Sequence, residues 1–301
     1  MYTYLMMLVI SAGTTLCNAL LKKYQSETKQ TFLTICMFNL VNAVTASVFF
    51  IIANRFKINL NALTLLFSFA AAIIIALNIV INVYALSVVS LVVVSIITTA
   101  GTIVGTAAFG SLFLNEKIEI NLIFSIILLI VAVSLPFIKN KINRENQIRT
   151  KSITNTGIFI CLSLFITSGL NVILNKLYVN NPNVCDSNSY FFMSNFILII
   201  VCTCILSVYK IKSKTSIKDI LHIFSTRQTL YVSSRTLSSN ISAIITMIVL
   251  ANMNVSLYAV LTTSFTLIGN ALVSRYYFKE NMPCENKISI VLAIIAIILT
   301  Y

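Results

Sequence analysis

Residues 62 to 84 read ALTLLFSFAAAIIIALNIVINVY, with no charged side chain and no proline. A helix rises 1.5 Å per residue, so about 20 apolar residues match the ~30 Å hydrocarbon core of a bilayer. Runs of this kind, bounded by charge or turn residues, recur along the chain. They give ten expected spans: 2–21, 32–53, 62–84, 87–113, 118–138, 153–174, 189–209, 229–250, 254–277 and 287–301. Hydrocarbon holds no water to satisfy backbone groups, so a chain crosses it as helices or as a closed barrel, and runs of about 20 residues rather than ~10 select helices. The expected fold is an all-α integral membrane protein with ten transmembrane helices.

Composition agrees. Of 301 residues, 58% are hydrophobic and 10% charged, against roughly a quarter charged in soluble domains. No Lys or Arg precedes the first span and no small-residue cleavage site follows it. Lys22 and Lys23 close it, so it reads as a membrane helix and not as a signal peptide. The longest polar segments, 139–152 and 210–228, are basic connectors. Trp is absent, and Tyr2, Tyr4, Tyr24, Tyr178, Tyr190, Tyr209, Tyr231, Tyr276, Tyr277 and Tyr301 near span ends are expected to anchor the interfaces instead.

The formal charge of +13 sits in the connectors, where it bears on orientation and on anionic lipid headgroups; membrane lipids are expected partners and nucleic acid is not. Seven cysteines show no CxxC or Cys/His ligand spacing and read as small apolar residues. His222 lies in a basic connector and reads as a solvated surface residue. No GxxxxGK[ST] motif occurs, so the chain carries no recognisable ATPase. No metal or other cofactor is expected. Nothing in the sequence sets an oligomeric state, and a monomer is compatible with it.

One pattern occurs twice. TTAGTIVGTA (98–107) and TTSFTLIGNA (262–271) share Thr98/Thr262, Thr99/Thr263, Thr102/Thr266, Gly105/Gly269 and Ala107/Ala271. The same offset pairs Glu116 with Glu280, and other offsets pair Thr14, Asn18 and Lys23 with Thr167, Asn171 and Lys176. The repeat unit is five spans, residues 1–138 and 153–301 around the connector 139–152. An odd number of spans makes the second copy enter from the opposite side, giving an inverted repeat of the kind secondary transporters use to build two near-equivalent states.

A chain of five plus five spans resembles the EamA-type transporters of the drug/metabolite transporter superfamily. Each half ends in a FLNEKI (113–118) or FKENM (278–282) turn before a last apolar helix. The likeness covers the whole chain. It implies a ten-helix fold with a central cavity lined by spans 1, 3, 4, 6, 8 and 9, moving small metabolites, amino acids or drugs, with both termini in the cytoplasm.

Candidate lining residues follow from polar stripes. Ser11, Thr14 and Asn18 share one helical face, and Ser163, Thr167 and Asn171 form its counterpart. Asn78 and Asn82 lie one turn apart in the third span. Thr98 and Thr262 head small-residue faces with Gly105 and Gly269, which also suit close helix packing. The eighth span puts Arg235, Ser239, Ser242 and Thr246 on one stripe, and Arg235 is the single formal charge more than a turn inside an expected span. A guanidinium there can clamp a carboxylate or phosphate, or snorkel to the headgroups. The eight acidic residues all fall in connectors or at span ends, which disfavours a proton exchanger with a mid-membrane acid. Glu116 and Glu280 are expected to fix the turn before the last helix of each half, by capping or by pairing with a cation.

The expected function is a secondary carrier or exchanger of a small anionic or zwitterionic metabolite, such as an amino acid or organic acid, working by alternating access in a cell membrane, expected to be the bacterial cytoplasmic one. No catalytic residue is assigned. A flippase for a lipid-linked sugar keeps the architecture and changes the cargo. A polytopic membrane enzyme would need clustered acids, a His pair or a metal site. The charges argue against the orientation that the resemblance implies. Cytoplasmic termini would leave four basic residues in the cytoplasmic connectors, Arg55, Lys57, Lys117 and Lys176. Of 21 Lys and Arg, less those four and Arg235, sixteen lie on the other side, so the positive-inside rule puts the termini outside.

Overall fold

The computed structural model describes residues 2–28, 31–88, 91–114, 116, 120–121, 123–128, 130–132, 155–213, 225–279 and 284–299. Among these there are nine helices and no strand: α1 Tyr2–Glu27, α2 Phe32–Ala53, α3 Ala62–Val88, α4 Leu91–Phe113, α5 Asn155–Asn180, α6 Ser187–Ser213, α7 Thr226–Asn252, α8 Val255–Tyr276 and α9 Cys284–Leu299. A shorter apolar helical stretch, Ile123–Ala132, lies between α4 and α5. Seven of the described helices, α1 to α3 and α5 to α8, are long and apolar enough to cross a membrane. The architecture is that of a multi-pass membrane protein.

Side-chain polarity is turned inside out relative to a water-soluble protein. Leu66, Leu112 and Phe159 are 66%, 74% and 70% exposed, while Ser68, Thr106, Ser194 and Ser264 are fully buried. With hydrocarbon outside there is no hydrophobic drive to hide leucine, and polar groups gather where other helices can meet them. Several of the buried hydroxyls donate within their own helix, as Thr106 does to the Thr102 carbonyl at 2.6 Å.

Several helices run past the apolar spans that the sequence delimits. α1 continues through Lys22 and Lys23 to Glu27, and α5 continues past residue 174 to Asn180. Thr31 caps α2 in a reciprocal box with Thr34, and Ser225 caps α7 with Gln228. Three of the expected tyrosine anchors are instead fully buried: Tyr24, Tyr178 and Tyr190. Tyr178 and Tyr190 stack at 4.2 Å, and their hydroxyls donate to the Cys185 carbonyl (2.8 Å) and to Asn175 Oδ1 (3.2 Å). A buried acceptor replaces the water that an interfacial tyrosine seeks. Tyr2, Tyr276 and Tyr277 are exposed, as an anchor requires.

The helices of residues 2–113 pack chiefly on those of residues 155–276 and hardly on one another. α1 lies against α7 and α8, α2 against α6 and α7, α3 against α5 and α6, and α4 against α5 and α8. The two stretches therefore interleave and do not form separate bundles. α4 and α5 approach closely where a Cβ on Gly101 would run into the Phe165 carbonyl, and a Cβ on Gly105 would stand 3.5 Å from Gly169 Cα.

Candidate functional site

Interleaving brings the polar faces of eight helices around one cavity of about 380 Å³. Apolar clusters flank it. One gathers Leu21, Tyr24, Phe38, Val83, Leu86 and Val232, and another gathers Phe50, Tyr178, Tyr190, Phe191 and Met247.

Eleven of the fourteen polar candidates named from the sequence line this cavity, Thr14 and Thr246 among them. α1 contributes Asn18, α3 contributes Asn78 and Asn82, α4 contributes Thr98 and α5 contributes Asn171. Arg235, Ser239 and Ser242 come from α7 and Thr262 from α8. Arg235 follows the first residue of α7, Thr226, by nine positions, roughly 13 Å along the axis. Its Nη1 donates to Asn42 Oδ1 at 3.2 Å and its guanidinium lies over the Phe38 ring at 5.5 Å. Cys17 Sγ donates to its carbonyl at 3.2 Å. The Arg235 Nε is buried without a partner among the described residues. The side chain thus turns inward to the cavity wall.

The expected stripes need correction. Ser11 does not reach the cavity; its hydroxyl lies within hydrogen-bonding distance of the Met7 and Thr262 carbonyls, 2.8 and 3.0 Å, and ties α1 to α8. Ser163 and Thr167 are absent from the wall too. Thr167 donates to its own helix at Ser163, and α5 presents Ser168, Asn171, Val172 and Asn175 instead. Close packing at Gly101 and Gly169 turns α5 so that the face one residue on from Thr167 meets the space.

α2 and α6, outside the set of lining spans that the resemblance implies, supply Asn42 and Asn195. Asn175 and Asn240 join them as lining amides that the stripes did not select. The signal available in the sequence was the recurrence of Asn39 and Asn195 at matching places in the second and seventh spans. Asn39 itself has a buried Oδ1 without a partner among the described residues.

Glu116 caps a helix that lies in the other half of the chain. Its Oε1 accepts from the Val255 amide (2.9 Å), and its Oε2 from the Ser256 hydroxyl (3.0 Å) and amide (3.4 Å). The N-cap residue of α8, Asn254, makes no side-chain cap, so free amides at the start of α8 attract the carboxylate. Lys176, expected in a connector, is buried in α5 and donates to the Leu250 and Met253 carbonyls at 2.7 and 2.9 Å. An anion on the amides that open α8 and a cation on the carbonyls that close α7 grip the same turn. Glu280, the connector 139–152 and His222 lie outside the described residues.

Neither a protein-family model nor a curated protein matches the sequence. A crystal structure described simply as that of a protein matches 97% of this chain and 94% of its own, with a TM-score of 0.63 and 10% identity. The likeness is one of fold.

Proposed function

We propose that this chain is a secondary carrier of the EamA type in the drug/metabolite transporter superfamily. It is built from ten membrane helices as two inverted five-helix repeats, residues 1–138 and 153–301. It moves a small anionic or zwitterionic metabolite across a cell membrane by alternating access. The observation that carries the reading is Arg235. Among the described residues it is the one formal charge on a cavity wall otherwise built from asparagines, hydroxyls and a few apolar side chains, and it has no carboxylate partner. A buried cation without a counter-charge is costly, and a ligand carboxylate or phosphate supplies one.

The repeat reading is supported by how the helices pair. Exchanging α1 with α5, α2 with α6, α3 with α7 and α4 with α8 turns the α1–α7 contact into α5–α3, α1–α8 into α5–α4, and α2–α7 into α6–α3, all of which occur. Thr98 and Thr262, equivalent in the sequence repeat, meet the same cavity from α4 and α8. Two equivalent walls around one site are what alternating access requires.

The test is uptake by the purified protein in proteoliposomes against amino acids, organic acids, cationic drugs and sugar nucleotides. Uptake within the first two classes is expected. Transport of cations with none of anions or zwitterions would overturn the reading.

A further inference from the structure

Resting on the carrier reading above, we infer that Asn42 sets the charge of the binding site. It orients Arg235 without neutralising it, and it offers the bound oxyanion a second donor.

Two residues of α2, one helical turn apart, hold the guanidinium. Asn42 Oδ1 accepts from Nη1 at 3.2 Å, and Arg235 Cζ lies over the Phe38 ring, 5.5 Å from its centroid. The same Oδ1 accepts from the Thr236 hydroxyl at 2.8 Å, so it meets donors from two successive residues of α7. Asn42 and Thr236 are both buried, at 6% and 1% exposure, and packing holds them where these bonds form.

The contacts fix which way round the Asn42 amide sits. A guanidinium can only donate, so the atom that faces Nη1 is the oxygen and the NH2 group is turned away from it. Asn42 Nδ2 and Arg235 Nη2 make no hydrogen bond among the described residues, and unlike Arg235 Nε neither is fully enclosed by protein. Both residues line the cavity. One cationic donor on α7 and one neutral donor on α2 are therefore left for an oxyanion.

An aspartate at this position would make the same two contacts and hold the guanidinium more strongly. It would also cancel the positive charge and set a carboxylate oxygen where the NH2 group now stands. The amide thus gives the geometry of an ion pair and leaves the charge of Arg235 for the substrate. The empty protein is less stable for it, because a buried cation goes without a counter-charge.

The experiment measures initial uptake of labelled lactate, gluconate, glutamate and inorganic phosphate over a range of concentrations. Proteoliposomes hold the intact protein, Asn42→Ala or Asn42→Asp, and melting temperatures are taken in detergent. For the anions that the intact protein carries, Asn42→Ala should raise KM about tenfold and leave the maximal rate within about twofold. Asn42→Asp should raise KM roughly a hundredfold or more, or abolish uptake, while melting at or above the temperature of the intact protein. Affinity and stability moving in opposite directions mark the role, since an asparagine that only supports the fold would lose both together. Uptake by Asn42→Asp within about threefold of the intact protein would overturn the inference and leave the carrier reading standing. So would a lower maximal rate at unchanged KM in Asn42→Ala. Should Asn42→Asp fail to fold, Thr236→Val decides: it removes one of the two donors that locate Oδ1, a several-fold rise in KM is expected, and an unchanged KM would overturn the inference. Failure of the intact protein to take up any of the four anions would sink both.

Discussion

Asn18 and Asn171 occupy matching places in the sequence repeat, and the structure gives them different surroundings. Asn18 heads a chain of side chains across three helices, donating to Asn270, which in turn donates to Ser95 at 2.6 Å. Asn171 lines the same cavity with no hydrogen bond among the described residues. Asn171→Ala should therefore cut transport several-fold with an unchanged melting temperature. Asn18→Ala should cut transport and also destabilise the fold by about 0.5–1.5 kcal/mol. Parallel uptake and thermal denaturation in detergent separate the two cases. At this scale the sequence was informative where a polar residue stood alone in an apolar run. Asn78 and Asn82 could be picked out because only apolar residues surround them, and Arg235 because it is the one formal charge deep in its span. Asn175 and Lys176 could not, since both stand just past the end of an apolar run, where polarity is ordinary. Only the continuation of α5 to Asn180 buries them. Asn240 escaped notice because it lies off the Arg235 stripe, yet α7 is held between α1 and α2 so that two of its faces meet the cavity.

Helix contacts divide into those set by small residues and those set by charge at helix ends. α4 can approach α5 only because position 101 has no Cβ, whereas a Cβ at Gly105 would find ordinary van der Waals room. Gly101→Ala should lower stability by about 1–3 kcal/mol through overpacking, and Gly105→Ala should be close to neutral or slightly stabilising. Melting temperatures of the two variants check this contrast. At the turn between α7 and α8, Glu116→Ala removes three acceptor contacts from the start of α8 and should cost about 1–2 kcal/mol. Glu116→Gln, which keeps one acceptor oxygen, should cost less. Equal melting temperatures for Glu116→Ala and the unaltered protein would show that the cap is dispensable. Helix positions were legible from runs of apolar residues because hydrocarbon thickness sets their length. Which helix Glu116 serves was not, because a cap partner from the other half of the chain leaves no trace in local spacing.

For the whole molecule, charge distribution and packing make separate demands. Lys176 is one of the four basic residues that cytoplasmic termini would place in the cytoplasm, and its ammonium is engaged by the α7 carbonyls inside the protein. The asymmetry of charge between the two sides is therefore larger than residue counting suggests. Both basic connectors, 139–152 and 210–228, are expected on the cytoplasmic side, with the termini outside. A single cysteine at position 146, introduced into a variant lacking the native cysteines, should stay unlabelled by an impermeant reagent in intact cells. Labelling there would reverse the orientation and leave the cavity argument untouched.

The central claim is that one site, built around Arg235, is exposed alternately to the two sides. Counterflow tests it most directly. Proteoliposomes are loaded with an excess of an unlabelled anion that the protein transports, and uptake of the same anion in labelled form is followed over time. A carrier with one alternating site should give a transient overshoot of label above its equilibrium level, because unlabelled substrate inside competes for the return journey. Arg235→Ala should abolish the overshoot while the protein melts normally, and Arg235→Lys should retain part of it, since an ammonium keeps the charge and loses the bidentate fork. A simple rise to equilibrium without overshoot, or an undiminished overshoot in Arg235→Ala, would contradict the account.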